Sequence, residues 1–205
     1  LKKAWIIENG TRYLLKGGYK NDVIQPFNEV LASEICNRLG FNHVQYTLDT
    51  YKDMVVSKCP CFINKNTELV TAYQIRNDMV RHDNELDYEE YIKELEKNGI
   101  ENVDEKMENI YILDFLIMNE DRHLNNFGII RDVNTLIKPF DDIIKVVKNI
   151  KRIDISKLDG VVEWFDELLH KYQNITKMSD RRINRLCILL NRQINKLKKL
   201  IEDEK

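Results

Sequence analysis

A chain of 205 residues, 43% hydrophobic and 32% charged, is long enough to bury one sizeable core or two smaller lobes around a cleft. Its 32 Lys and Arg against 34 Asp and Glu leave a formal net charge of −2, which gives no electrostatic reason to expect a binder of nucleic acid or of membrane surfaces. The apolar runs fall short of the roughly 20 residues that cross a bilayer.

"LKKAWIIENG" carries only a short apolar run before Glu8, so no signal peptide is read there, and a chain that opens with Leu1 is expected to be a fragment, a processed chain or the ordered part of something longer. "KAWII" and "RYLLK" read as two strands, and the Asn-Gly between them is a strong hairpin signal. After Gly17-Gly18 comes "QPFNEVLASEICNRLG", where Phe27, Val30, Leu31, Ile35 and Leu39 recur at helical spacing. Pro26 suits its first turn and Gly40 its stop. "HVQYTLDTY" and "MVVSKCPCF", rich in Val, Tyr and Thr, read as two further strands. Together these segments predict a small sheet with one inserted helix.

From about Thr67 onward the pattern reads as helical. "ELDYEEYIKELEKNG" is a charged surface helix, and "VDEKMENIYILDFLIM" follows with Met107, Ile110, Tyr111, Leu113 and Ile117 on a wide apolar face. "DISKLDGVVEWFDELLHKYQ" and "MSDRRINRLCILLNRQINKLKKLIEDEK" close the chain as helices. In the last, Ile183, Leu186, Leu190, Ile194, Leu197 and Ile201 alternate by three and four, a stripe expected to be core. The fold class expected is α+β: a strand-rich lobe over residues 1–62, then a larger helical lobe over 63–205. Cys36, Cys59, Cys61 and Cys187 lack metal-finger spacing, and Cys59-Pro60-Cys61 is too tight for an ordinary disulfide loop. Reduced thiols and a cytoplasmic location are expected.

Directly behind the apolar helix stands "NEDRHLNNFG", residues 119–128. Asp121 and Asn126 are spaced D-x-x-x-x-N. Phosphoryl transfer needs a carboxylate that orients or accepts the proton of an attacking hydroxyl, and oxygen ligands that hold Mg²⁺ against nucleotide phosphates. A short loop after a buried helix can hold both groups rigidly. The bare spacing is common by chance; D-R-H-x-x-N at a helix-to-loop junction is far more specific. Arg122 and His123 read as braces of the loop, and Asn125 as exposed. Asp114, a carboxylate among apolar neighbours, is costly to bury unless paired. It is expected to face back toward Arg122 or His123.

The segment "NEDRHLNNFGIIRD" resembles the catalytic loop of HipA-like serine/threonine kinases, a bacterial toxin-kinase family, and its D-R-H-x-x-N core is shared with phosphoinositide kinases. The resemblance implies a two-lobed protein-kinase-like fold and ATP- and Mg²⁺-dependent transfer to a serine or threonine hydroxyl of a protein substrate. It further implies that Asp121 is the catalytic base and Asn126 a metal ligand. Lys16, at the end of "RYLLK", resembles the family's nucleotide lysine, and Glu29, in "QPFNEVLAS", the helix glutamate that pairs with it. A DNA-binding antitoxin partner is implied by the resemblance alone. The family's glycine/serine phosphate loop before the lysine strand would precede Leu1. Its downstream I-F-D-S-G-like segment, which bears a second metal aspartate, has no full counterpart in "RDVNTLIKPFDD": Asp141 matches only within "PFD" and comes early. Either a stretch near 136–139 is missing or a ligand has been lost. The second case would make the chain a catalytically impaired pseudokinase or regulatory nucleotide-binding module. A small-molecule or lipid kinase is a further alternative, resting on D-R-H-x-x-N alone.

Overall fold

A computed structural model describes residues 3–18, 23–77, 88–97, 99–120, 122–125, 127–133 and 153–203. They group into two compact units. One takes in Leu1–Phe62, Phe115–Ile117 and Ile150–Lys205, the other Ile63–Asp114 and Met118–Asn149. The first break falls at residue 62; the chain then returns to the first unit after Asn149, where the sequence reading draws a single boundary.

In the first unit, strands β1 (Lys3–Glu8), β2 (Thr11–Lys16), β3 (Thr47–Tyr51) and β4 (Met54–Pro60) form an antiparallel sheet in the order β1-β2-β4-β3. Asn9 and Gly10 both have positive φ, 49° and 78°, the primed turn that matches the twist of a two-residue hairpin. Lys52 and Asp53 turn β3 into β4 in the same way, at φ 51° and 60°. Helix α1 (Gln25–Leu39) starts with Pro26 in its first turn and ends at Gly40, φ 75°. There Gly40 N donates to Asn37 O at 3.3 Å and Phe41 N to Cys36 O at 2.9 Å, the paired bonds of a Schellman stop. Phe27, Val30, Leu31 and Ile35 are buried, as the helical spacing predicts.

The C-terminal segment of this unit is a 3-10 turn over Ile155–Leu158, then α5 (Val161–Lys171), a short α6 (Gln173–Thr176) and α7 (Asp180–Asp203). Gly160, at φ 78°, separates the turn from α5, so "DISKLDGVVEWFDELLHKYQ" is two elements rather than one helix. The α7 stripe is core: Ile183, Leu190, Ile194, Leu197 and Ile201 are buried, with Cys187 buried beside a half-buried Leu186. Phe27 meets Tyr172 edge-on, ring centroids 6.1 Å apart, and Arg38 Nη1 donates to Asp159 O at 2.7 Å. These contacts fix α1 against the C-terminal helices.

The second unit holds a two-stranded antiparallel sheet, β5 (Thr67–Thr71) with β6 (Gly128–Asp132), and the helices α2 (Ala72–Asn77), α3 (Tyr88–Lys97) and α4 (Val103–Ile117). β5 and β6 correct the expectation of helix from Thr67 onward. Each is five residues long, and its partner is far away in the chain, so the local period carries too little signal. The core of the unit is Ala72, Tyr91, Ile92, Leu95, Ile100, Val103, Met107 and Ile129. The face of α4 also needs correcting. Tyr111 is 49% exposed, whereas Ile112, Leu116, Lys106 and Asp114 are buried. No helix among the described residues is long and apolar enough to cross a membrane.

Candidate active site

Lys16 is the last residue of β2 and lies opposite Ser57 of β4. Glu29 stands in the second turn of α1, where the helix packs on β4. Their side chains meet: Lys16 Nζ donates to Glu29 Oε1 and Oε2, both at 3.0 Å, and to the Tyr46 hydroxyl at 2.8 Å. Ser57, fully buried, donates from Oγ to Glu29 Oε2 at 3.4 Å. The lysine and glutamate side chains are 21% and 32% exposed, so the pair is partly but not fully withdrawn from solvent. A partly exposed ammonium held by a carboxylate is a fixed positive charge with access to a ligand.

Tyr46 is itself held. Its backbone N donates to Ser33 Oγ of α1 at 3.0 Å, and Ser33 Oγ lies 3.1 Å from His43 Nε2. Burial, and then the charge of Glu29, push the Tyr46 phenol above its ordinary value, so it is a neutral hydroxyl. The Cys59 thiol next to it is raised by burial as well. Sequence reasoning missed Tyr46, Ser57 and Cys59. A serine inside the apolar strand "MVVSKC" was the one available signal, since a buried hydroxyl on a central strand needs a partner.

The second group belongs to the other unit. Met118, at φ 53°, reverses the chain after α4, and Asn119 N closes the turn on Asp114 O at 2.8 Å. Arg122 then reaches back to Asp114 through Nε to Oδ2 at 2.7 Å and Nη2 to Oδ1 at 2.6 Å. Asn119 Nδ2 adds a third donor to Asp114 Oδ1 at 2.8 Å. His123 Nδ1 accepts from Asn125 N at 3.2 Å. The carbonyls of Leu124 and Phe127 accept from Tyr73 N at 2.9 Å and Ala72 N at 3.0 Å. The described residues of the loop are therefore tied to the end of α4 and to the start of α2. Asp121 and Asn126 lie outside the described residues, as do Asp141 and residues 136–139.

The four described cysteines are free thiols. Among the described residues no three His, Cys, Asp or Glu side chains cluster as a metal site.

No protein-family model matches the sequence. Among curated proteins, the chain is 28% identical over 128 residues to the serine/threonine-protein kinase CtkA of Helicobacter pylori strain J99, a match over 53% of this chain and 35% of that protein. The matched region thus spans about a third of the length of that relative. Among solved structures, the crystal structure of a Helicobacter pylori proinflammatory kinase CtkA aligns with a TM-score of 0.69 at 17% identity, covering 98% of this chain and 94% of that one. The likeness shows the fold: a kinase-like α+β architecture with a small sheet and a helical part.

Proposed function

We propose that this chain is an ATP- and Mg²⁺-dependent kinase of the HipA-like type that transfers the γ-phosphoryl group to a serine or threonine hydroxyl of a protein substrate. The observation that carries the reading is the Lys16–Glu29 pair, an ammonium fixed by a helix carboxylate at 3.0 Å in a chain with the fold of a solved kinase. In phosphoryl transfer the protein's share is mostly positioning and neutralisation of charge, and a fixed lysine beside the phosphates does both.

The residues fit the groups this reading requires. Beside Glu29, Lys16 has a neutral phenol as a partner, so its positive charge is not cancelled twice and suits the α- and β-phosphates of a nucleotide. The side-chain amide oxygen of Asn126 has the hard-donor chemistry that Mg²⁺ prefers. Mg²⁺-bound ATP supplies the phosphoryl group and spreads its charge. Glu29 keeps the lysine oriented, Asp121 takes or orients the proton of the acceptor hydroxyl, and Arg122, locked on Asp114, braces the residue beside it.

The test is Asp121→Ala, assayed for transfer of labelled phosphate from ATP to the protein itself and to protein acceptors. The variant should stay folded and lose transfer by several orders of magnitude. Parental turnover in that variant would remove Asp121 from the mechanism. Nucleotide binding that ignores Mg²⁺, with no transfer by the parent, would favour an impaired binding module instead.

A further inference from the structure

We infer that Tyr46 is a second positioning residue for Lys16: its hydroxyl and the Glu29 carboxylate hold two of the three ammonium donors, which fixes the direction in which the third meets a nucleotide phosphate. The inference rests on the kinase reading of Lys16 and adds a residue to which neither the sequence pattern nor the comparisons assign a role.

A lysine ammonium has three N–H donors. Glu29 Oε1 and Oε2 both lie 3.0 Å from Nζ and, as the two oxygens of one carboxylate, share a single N–H. The Tyr46 hydroxyl accepts a second at 2.8 Å. The third is left to a phosphate oxygen, and neither protein partner has to leave to admit it. One acceptor alone would let the ammonium turn about that bond, with its long stem swinging behind it. Two acceptors on different segments, one on α1 and one just ahead of β3, stop both motions. The rotamer entropy of the stem is then lost on folding and not again on binding.

The hydroxyl is itself fixed, and α1 fixes it. Glu29 and Ser33 stand one turn apart on the same face of that helix. Ser33 is buried, and its Oγ accepts from Tyr46 N at 3.0 Å and lies 3.1 Å from His43 Nε2. Both partners of Lys16 are thus held to one helix. Burial and the charge of Glu29 keep the phenol protonated, so it orients the ammonium without cancelling the charge that phosphates need. The Tyr46 ring centroid lies 4.9 Å from Nζ, a contact that survives when the hydroxyl alone is removed.

Tyr46→Phe keeps the ring and removes the acceptor, and its first readout needs no nucleotide. The side-chain order parameter of Lys16, from ¹⁵N relaxation of its ammonium, should fall relative to the parent. Unchanged order would overturn the inference whatever the site binds. The second readout is calorimetric titration with Mg²⁺-ATP. Tyr46→Phe should weaken binding by about two- to tenfold, the worth of one hydrogen bond, in the parent background and leave it unchanged in Lys16→Met. An equal loss in both backgrounds would mean that Tyr46 reaches the nucleotide by another route, and parental affinity in Tyr46→Phe that the aim of Lys16 does not depend on it; either result overturns the inference. Should Tyr46→Phe fail to fold, Ser33→Ala takes its place: it keeps the phenol, releases the Tyr46 backbone, and should lower the order of Lys16 and weaken ATP binding in the same background-dependent way. If the order of Lys16 falls but the parent binds no ATP, or Lys16→Met binds as the parent does, the kinase reading falls and the nucleotide half of this inference with it.

Discussion

The Asp114 carboxylate and the Arg122 guanidinium meet fork to fork, through Nε–Oδ2 at 2.7 Å and Nη2–Oδ1 at 2.6 Å. The aspartate side chain is 10% exposed and the arginine 26%, so the pair is largely withdrawn from water. Asp114→Asn keeps the volume but puts an NH₂ where one guanidinium donor needs an acceptor. We predict a loss of about 1–3 kcal/mol in stability, because Arg122 can turn its remaining donors to solvent. Phosphoryl transfer should fall as well, by about ten- to a hundredfold, because a displacement of about 1 Å beside the reacting groups is enough for that. Steady-state kinetics and thermal melting on the same preparation separate the two effects. Unchanged kcat with a lowered melting temperature would reduce Asp114 to a structural residue.

The Lys16–Glu29 contact makes a prediction of its own. Glu29→Gln leaves the ammonium with one good acceptor fewer, and Lys16→Met removes it altogether. If the glutamate acts through the lysine, the double variant should bind ATP no worse than Lys16→Met alone. The two substitutions should then be non-additive by about 1 kcal/mol, which a double-mutant cycle on binding constants measures. Additive losses would mean that Glu29 touches the ligand by a separate route.

What could be read from the sequence follows the range of the interactions. The β1–β2 hairpin was legible because Asn9-Gly10 is a local turn signal, and α1 because Pro26, its apolar spacing and Gly40 agree within one segment. β5 and β6 were not legible, since Thr67 finds Asp132 only through tertiary contact. The same holds at the site. Lys16 and Glu29 came from a resemblance in residue order and Asp114 from the cost of burying a carboxylate, but no local pattern marks Tyr46, which reaches Lys16 across the β1–β4 sheet's packing on α1.

Gly128, the first residue of β6, marks a place where space rather than backbone freedom demands glycine. A Cβ built there would press on the carbonyl of Val70 and stand 2.8 Å from Thr71 Cα, both backbone atoms of the paired strand. Gly128→Ala should therefore cost about 1–3 kcal/mol by overpacking. Gly10→Ala offers the contrast. It meets nothing within 4 Å and is penalised only for its φ of 78°, worth about 1 kcal/mol. Denaturant midpoints for the two variants should fall in that order, and a harmless Gly128→Ala would show that β5 and β6 can separate at little cost.

The last prediction concerns alkali. Burial pushes the Cys36 thiol from 9.0 up to about 12 and the Tyr91 phenol from 10.0 up to about 12. In each case the folded chain holds its proton at a pH where the unfolded chain has released it. The unfolded state thus binds fewer protons through this window, and stability must fall as pH rises. For Cys36 the contribution is complete below about pH 9 and is lost between about 9 and 12, at a slope of at most about 1.4 kcal/mol per pH unit. Tyr91 joins above pH 10 with the same sign. Urea unfolding at pH 7, 9 and 10.5 should show little change over the first interval and a steep loss over the second. Cys36→Ala should start less stable at pH 7, because it leaves a gap among buried neighbours, yet lose less between pH 9 and 10.5. Parallel curves for parent and variant would mean that the thiol titrates alike in both states and that the α1 core admits water at Cys36.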